Sequence, residues 1–228
     1  ALAALMMGAA FLATGSVNQA CVEAGASEHT RSLLARASMA DVIMAPSADM
    51  FEMGVRVQVL KLGTMFPMRA SKLYELYSRY NSIDEIPGTE RQRLEKQVFQ
   101  REMEDIWRDT RAFFTERDPA QIERAEKDPH HKMALIFRWY LGLSSRWSNS
   151  GEQGREMDYQ IWCGPSMGSF NEWTQGTYLA EAQNRQVLDV NRHILDGAAY
   201  QYRTQALKMS GIALPPALEF YRPEQPAA

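Results

Sequence analysis

Cysteine is scarce in this sequence: Cys21 and Cys163 are the only two among 228 residues. Two so far apart make neither a disulfide framework nor a metal cluster. A basic excess is also missing, with 25 Lys and Arg against 28 Asp and Glu. The chain therefore carries no general field for nucleic acid. There is no uninterrupted apolar run of about 20 residues, so no helix is expected to cross a membrane. Ala1 to Ala13 are largely apolar but lack a basic leader and a cleavage context, so they do not read as a signal peptide. A reducing cytoplasm is the expected compartment. No repeat recurs at a fixed period, and low complexity is confined to a proline-rich tail. What is present is a chain that is 45% hydrophobic, long enough for one or two domains with a buried core. It opens in mid-helix and reads as a piece of a longer protein.

Ala1 to Met7 are strong helix formers, and Gly8 stands where a left-handed terminator belongs. Ala9 to Ala13 is a wholly apolar run of strand length, the pattern of a parallel strand buried on both faces. Thr14-Gly15-Ser16 follows as a small-residue turn, which makes the opening one unit of an α/β architecture. Ser27 is placed to cap a helix over 27–37. Asp41 to Ala45 is a second short apolar run, stopped by Pro46. From Asp49 to Gly63 the pattern is open between strand, from alternating Val55, Val57 and Val59, and helix, from Met50, Phe51 and Met53. Beyond Met65 long helices dominate. Pro67 opens one that runs to Tyr80. Thr89 and Gln92 form a capping box for the next, whose apolar stripe runs from Leu94 to Phe114. Asp118-Pro119 and Asp128-Pro129 each announce a further helix, the second ending near Trp147. Ser148 to Gly154 reads as an exposed connection. A last long helix covers about 185–210 and is closed by Gly211; the tail reads as extended or disordered. The class is α/β in front and mainly α behind.

Several motifs carry candidate chemistry. A Gly-Ser turn after a parallel strand offers backbone N–H groups and a hydroxyl to an anion, and glycine lets the backbone approach a phosphate closely. Thr14, Gly15 and Ser16 are that candidate, although any α/β protein has such turns. Gly164-Pro165-Ser166-Met167-Gly168 fits G-x-S-x-G, the nucleophile-elbow signature. Its only acid–histidine set downstream is Asp189 and His193 on one helix, the wrong context for a triad, and Pro165 constrains the preceding strand. His130 and His131 are adjacent at a helix start, so their side chains diverge by about 100° and do not converge on a metal. His29 and His193 are isolated. Asp49 and Glu52 can share a helix face as paired carboxylates, but the sequence shows no enclosing pocket and a solvated face is the favoured reading. Lys61, Arg69 and Lys72 form a basic trio around Pro67. Eight aromatics between Phe137 and Trp173 must pack closely, because they lack the interleaved basic residues of a base-stacking platform.

Three long stretches, 49–74, 133–142 and 158–173, together with Thr14-Gly-Ser-Val-Asn-Gln19 and Glu23-Ala-Gly25, resemble the PfaD-type trans-acting enoyl reductases of polyunsaturated fatty acid and polyketide synthases. The resemblance covers nearly the whole chain. It implies the last strands of a TIM-type FMN barrel similar to nitronate monooxygenases, followed by a helical insertion. The expected divisions are 1–64 as the carboxyl-terminal part of the barrel, 65–151 as the insertion, and 152–228 as a helical region closing on the barrel. The implied activity is that of an oxidoreductase acting on enoyl thioesters held on an acyl carrier protein, with FMN as cofactor and NADPH or NADH as reductant. Thr14, Gly15 and Ser16 would then hold the FMN phosphate, while the catalytic residues would lie outside this chain, leaving it inactive alone. The family is expected to carry alanine more often than serine at the position of Ser166. Two alternatives stand beside this: an acyl or malonyl transferase using Ser166, and a non-catalytic helical docking module.

Overall fold

The computed structural model describes residues 1–226. In chain order its helices and strands are α1 (Leu2–Met6), α2 (Ser16–Gln19), α3 (Glu28–Arg36), β1 (Val42–Pro46), β2 (Arg56–Leu60), α4 (Phe66–Arg79), α5 (Gly88–Leu94), α6 (Met103–Arg117), α7 (Pro119–Lys127), α8 (Pro129–Ser150), α9 (Ser166–Thr174) and α10 (Val187–Met209). Short 3-10 turns join several of them. The architecture is mainly helical. Two compact units account for it, one built from 1–41 with 163–228, the other from the continuous stretch 42–162.

In the first unit, side chains finish the helices. Ser27 accepts from the Thr30 N–H at the start of α3. At the other end of α3, the Asn171 amide donates to the carbonyls of Leu34 and Ala37, at 2.8 and 2.7 Å. The Glu23 carboxylate accepts from the Val187 N–H, closing the start of α10 and placing negative charge at a helix amino terminus. Gly168 is where α9 meets the chain after α3: a Cβ there would lie 2.1 Å from the Met39 nitrogen. The tail is more ordered than its prolines suggest. Tyr221 packs on Trp173, and its carbonyl accepts from the Trp173 indole at 2.9 Å.

The expected barrel strand over Ala9–Ala13 is not formed. Among the described residues the one sheet is the β1–β2 pair, so this run has no neighbour with which to exchange hydrogen bonds, and Phe11 is 82% exposed. A TIM-type barrel is therefore not what the chain shows.

The second unit begins with an antiparallel hairpin in which Val42 pairs with Leu60 and Pro46 with Arg56. The ambiguous stretch thus resolves into a turn over the methionines and a strand over the valines. Its core is aromatic: Phe51, Phe66, Phe99, Phe137, Tyr140 and Tyr159 are all buried. Burying a side chain of this size contributes about 1.5–3 kcal/mol, so this cluster is the main cohesive force of the unit. Asp128 caps α8 by accepting from the N–H groups of His130 and His131, and Gly151, at φ 72°, ends it.

The stripe from Leu94 to Phe114 is not one helix. After α5 the chain widens into a π turn over Glu95–Phe99, then Gln100 adopts φ 54°, ψ 30°, and α6 starts afresh. Pro87, not Thr89, precedes α5, so the expected capping box is not used. The break is held from elsewhere. The Glu95 carboxylate accepts from the Met103 N–H, and the Arg155 guanidinium donates to the carbonyls of Val98 and Phe99.

Candidate functional site

The Thr14–Ser16 turn lies in the first unit and is tied down on both sides. Thr14 Oγ1 donates to Asn191 Oδ1 at 3.3 Å, and Asn18 Nδ2 donates to the Thr14 carbonyl at 3.1 Å. Asn191 Nδ2 reaches Asn18 Oδ1 at 3.1 Å, which closes a small amide ring around the turn. Ser16 Oγ accepts from the Gly164 N–H at 2.9 Å. A serine oxygen that accepts keeps its own proton to donate. A Cβ on Gly15 would meet nothing within 4 Å, so space is open at the backbone there. Among the described residues no side chain caps the amino end of α2.

Gly164 leads directly to Ser166, which begins α9. The strand that an elbow requires is reduced to one bridge between Val59 and Trp162. His193 is buried, and both its ring nitrogens are engaged: Nδ1 with the Tyr221 hydroxyl at 2.7 Å, Nε2 with the Tyr178 hydroxyl at 2.9 Å. Tyr178 donates its proton to Asp189, so Nε2 must carry the hydrogen that reaches Tyr178. Nδ1 then accepts from Tyr221. Burial, reinforced by the bond to Asp189, raises the Tyr178 hydroxyl above its ordinary range; burial likewise raises Tyr221. The chain Tyr221–His193–Tyr178–Asp189 is complete and leaves the imidazole no lone pair for a serine. Gly168 is required by the close approach of residues 38–39, which accounts for one glycine of the signature by packing.

Burial sets two other features of the first unit that the sequence pattern does not show. Arg185 is fully buried, with Nε donating to the Leu179 carbonyl at 2.8 Å, and burial lowers its guanidinium to about 10. Cys21 and Cys163 are buried thiols, each pushed up to about 11 chiefly by that burial. They are poor nucleophiles.

In the second unit the candidate carboxylates separate. Glu52 contacts His131 Nδ1 at 3.0 Å and pairs with Arg124, while Asp49 lines a cavity beside α6 and α8. His131 Nε2 lies 3.0 Å from Gln121 Oε1, and His130 stacks on Tyr77 at 3.9 Å, so the adjacent histidines diverge as expected. Among the described residues no group of three or more potential ligands is placed to hold a metal. The basic trio disperses too: Lys72 pairs with Glu75 and Glu90, and Arg69 with Asp158. Asp158 is the fully buried centre of an ionic cluster. It also accepts from Tyr140 at 2.7 Å and from Arg155 at 3.2 Å. Beyond the i,i+3 spacing of Arg155 and Asp158, nothing in the local sequence marks this cluster, because Arg69 and Tyr140 come from other elements. No helix among the described residues is long and apolar enough to cross a membrane.

Residues 80–159 match the family model of the acyl-carrier-protein S-malonyltransferase inserted helical domain. The chain is 51% identical over 213 residues to a component of the polyunsaturated fatty acid synthase of Thraustochytrium, covering 91% of this chain and 14% of that protein. It is 46% identical to the polyketide biosynthesis protein PksE of Bacillus subtilis, covering 87% and 26%. Among solved structures it resembles the enoyl reductase domain of MlnA, from the macrolactin biosynthesis cluster of Bacillus amyloliquefaciens. The TM-score is 0.85 at 35% identity, covering 91% of this chain and 47% of that one. The chain thus spans a small part of the curated relatives it matches. The expectation of a PfaD-type reductase, and of an oxidoreductase, is corrected by the family model: the matched helical segment is of the type inserted in a malonyltransferase. The likeness to the MlnA domain stands beside that match as a likeness of fold. The relatives of this chain are proteins of polyunsaturated fatty acid and polyketide synthesis.

Proposed function

We propose that this chain is a helix-rich segment of a polyketide or polyunsaturated fatty acid synthase component, in which unit 42–162 serves an acyl-transferase-type role by receiving acyl chains borne on an acyl carrier protein. The observation that carries this reading is the match of residues 80–159 to the malonyltransferase insert, supported by the names of the relatives. The chain's part is to hold and orient. Ser166 is not assigned as a nucleophile, since His193 has both nitrogens bonded to tyrosines.

The Thr14–Gly15–Ser16 turn enters the proposal as a phosphate-binding turn. Ser16 keeps a proton to donate, and the open backbone at Gly15 lets a phosphate oxygen approach. FMN would be held at that turn by its phosphate, as would the phosphate of a phosphopantetheine arm. A flavin bound there would supply electron transfer with NADPH or NADH. No step of acyl handling is routed through it.

Hydrogen exchange of the full-length protein, with and without an acylated carrier protein, tests the reading. Slowed exchange within 80–159 is the expected result; slowing confined outside 42–162 would refute it. In the same preparations, loss of a copurified flavin or pantetheine phosphate on Gly15→Asp would locate the phosphate at the turn.

A further inference from the structure

Helices α6 and α8 do not close on each other along their whole length. On α8, positions 135, 138, 139, 142, 143 and 146 fall at the spacing of a single helical face. On α6, Asp109, Thr110, Phe113 and Phe114 face the same space. Together with Ala48 and Asp49 these residues line a cavity of about 440 Å³, within the roughly 300–1,000 Å³ of small-molecule sites. Its walls are apolar, with Phe113, Trp139 and Leu143 as the large surfaces. Gly142 sits in the middle of α8, where glycine is a poor helix former. A Cβ there would meet nothing within 4 Å, so the missing side chain leaves the cavity room.

The charges on this wall are not balanced. Arg138 and Arg146 stand four residues to either side of Gly142, on the same face, and neither makes an ion pair among the described residues. Asp109 is already paired with Arg101 at 2.8 Å. Among the described residues, Asp49 is the single acid on the wall outside any ion pair. Two guanidinium groups outside any ion pair, against one such carboxylate, leave a net positive wall beside an apolar trough, which matches an amphiphile with one anionic end.

We infer that this cavity binds a straight acyl chain, with the chain along Phe113, Trp139 and Leu143 and its anionic end on Arg138 and Arg146. The inference rests on the reading of unit 42–162 as acyl-handling and adds the place of the chain. The anion is the carboxylate of a free fatty acid; an acyl-phosphopantetheine carries its phosphate a whole pantetheine arm away from the chain and would meet the arginines with its thioester and amide carbonyls.

The test is calorimetric titration of the full-length protein with alkanoates from hexanoate to dodecanoate. Affinity is expected to rise about fourfold per methylene, the equivalent of about 0.8 kcal/mol. Gly142→Leu, which improves helix propensity while filling the trough, is expected to abolish binding without lowering the melting temperature. Arg138→Gln with Arg146→Gln should weaken dodecanoate by about tenfold or more and leave dodecanol unaffected. Asp49→Asn should tighten dodecanoate. Tighter binding of dodecanoyl-phosphopantetheine than of dodecanoate identifies the carrier-borne chain as the occupant, and the reverse order the free acid. Affinity independent of chain length, or unchanged in Gly142→Leu, overturns the inference. So does saturable binding of a carrier-protein helix peptide, blocked by Gly142→Leu, without any alkanoate binding. Carrier-induced slowing of exchange elsewhere in 80–159 would leave the proposed function standing if the alkanoates fail.

Discussion

Replacing Arg155 by methionine should cost unit 42–162 about 4 kcal/mol. The side chain is 11% exposed and meets four partners at once. It donates to Asp158 at 3.2 Å, to the Val98 carbonyl at 3.0 Å and to the Phe99 carbonyl, and its guanidinium lies 4.3 Å over the Trp147 ring. Removing one partner of a buried ion pair costs about 3–5 kcal/mol, and each stranded buried carbonyl about 1–3. Arg69 and Tyr140 still hold the other oxygen of Asp158, which brings the carboxylate part toward its lower limit. Methionine retains most of the packing on Trp147. Lysine keeps the charge but not the fork and should cost about half as much. The assay is urea unfolding of each variant, with Asp158→Asn and the double variant completing the cycle. The coupling between the two sites is expected to be about 1–3 kcal/mol. Hydrogen exchange at Gln100 and Met103 should accelerate in Arg155→Met, because the π turn loses its external donors. A loss below about 1 kcal/mol at unchanged m-value, with exchange at the turn unaltered, would refute the claim that Arg155 fixes the break between α5 and α6.

Three further outcomes follow from the same geometry. Gly168→Ala should destabilise the first unit by about 1–3 kcal/mol, since its Cβ would lie 2.1 Å from the Met39 nitrogen, whereas Ser166→Ala should stay within about 0.5; equal thermal shifts for the two would contradict the packing account. Gln100→Gly should stabilise by about 1 kcal/mol, because only glycine adopts φ 54° without penalty, and a chemical denaturation midpoint reads it directly. Cys21 and Cys163 should resist a thiol reagent at neutral pH and react fully after unfolding. Their folded values exceed the unfolded 9.0, so the stability they contribute is present below pH 9 and lost as pH rises through about 11; a stability profile flat across that window would contradict their burial.

Local signals in the sequence located most of the helices. Asp128 with Pro129, Ser27, Gly8 and Gly211 all act through atoms within four residues, and each marks a helix end in the structure. The break at 95–100 is not legible in the sequence for the opposite reason. The apolar stripe runs on unbroken from Leu94 to Phe114, and the two side-chain donors to the π turn's carbonyls belong to Arg155, more than fifty residues away. The apolar run 9–13 has the composition of a buried strand, but a strand exists only through a neighbour, and the sheet lies elsewhere. The Ser166 signature survives as a pattern without its chemistry, because Gly168 answers to the Met39 backbone and His193 to two tyrosines. Asp158 and its partners are not legible as a group, since only folding brings 69 and 140 to 155 and 158. The motifs carrying the family resemblance led to polyketide and polyunsaturated fatty acid synthesis, but the reductase identity attached to them was set aside by the match over 80–159.

Both ends of the continuous unit meet on β2: Val42 stands opposite Leu60, and Trp162 bridges Val59. Neighbouring strands lie about 4.8 Å apart, so the polypeptide leaves this block within two strand spacings of where it entered. A module whose entrance and exit lie this close can be excised or grafted as a cassette with only a short splice. Swapping 42–162 among relatives therefore offers a way to read what this block contributes while the host framework keeps its own ends in place.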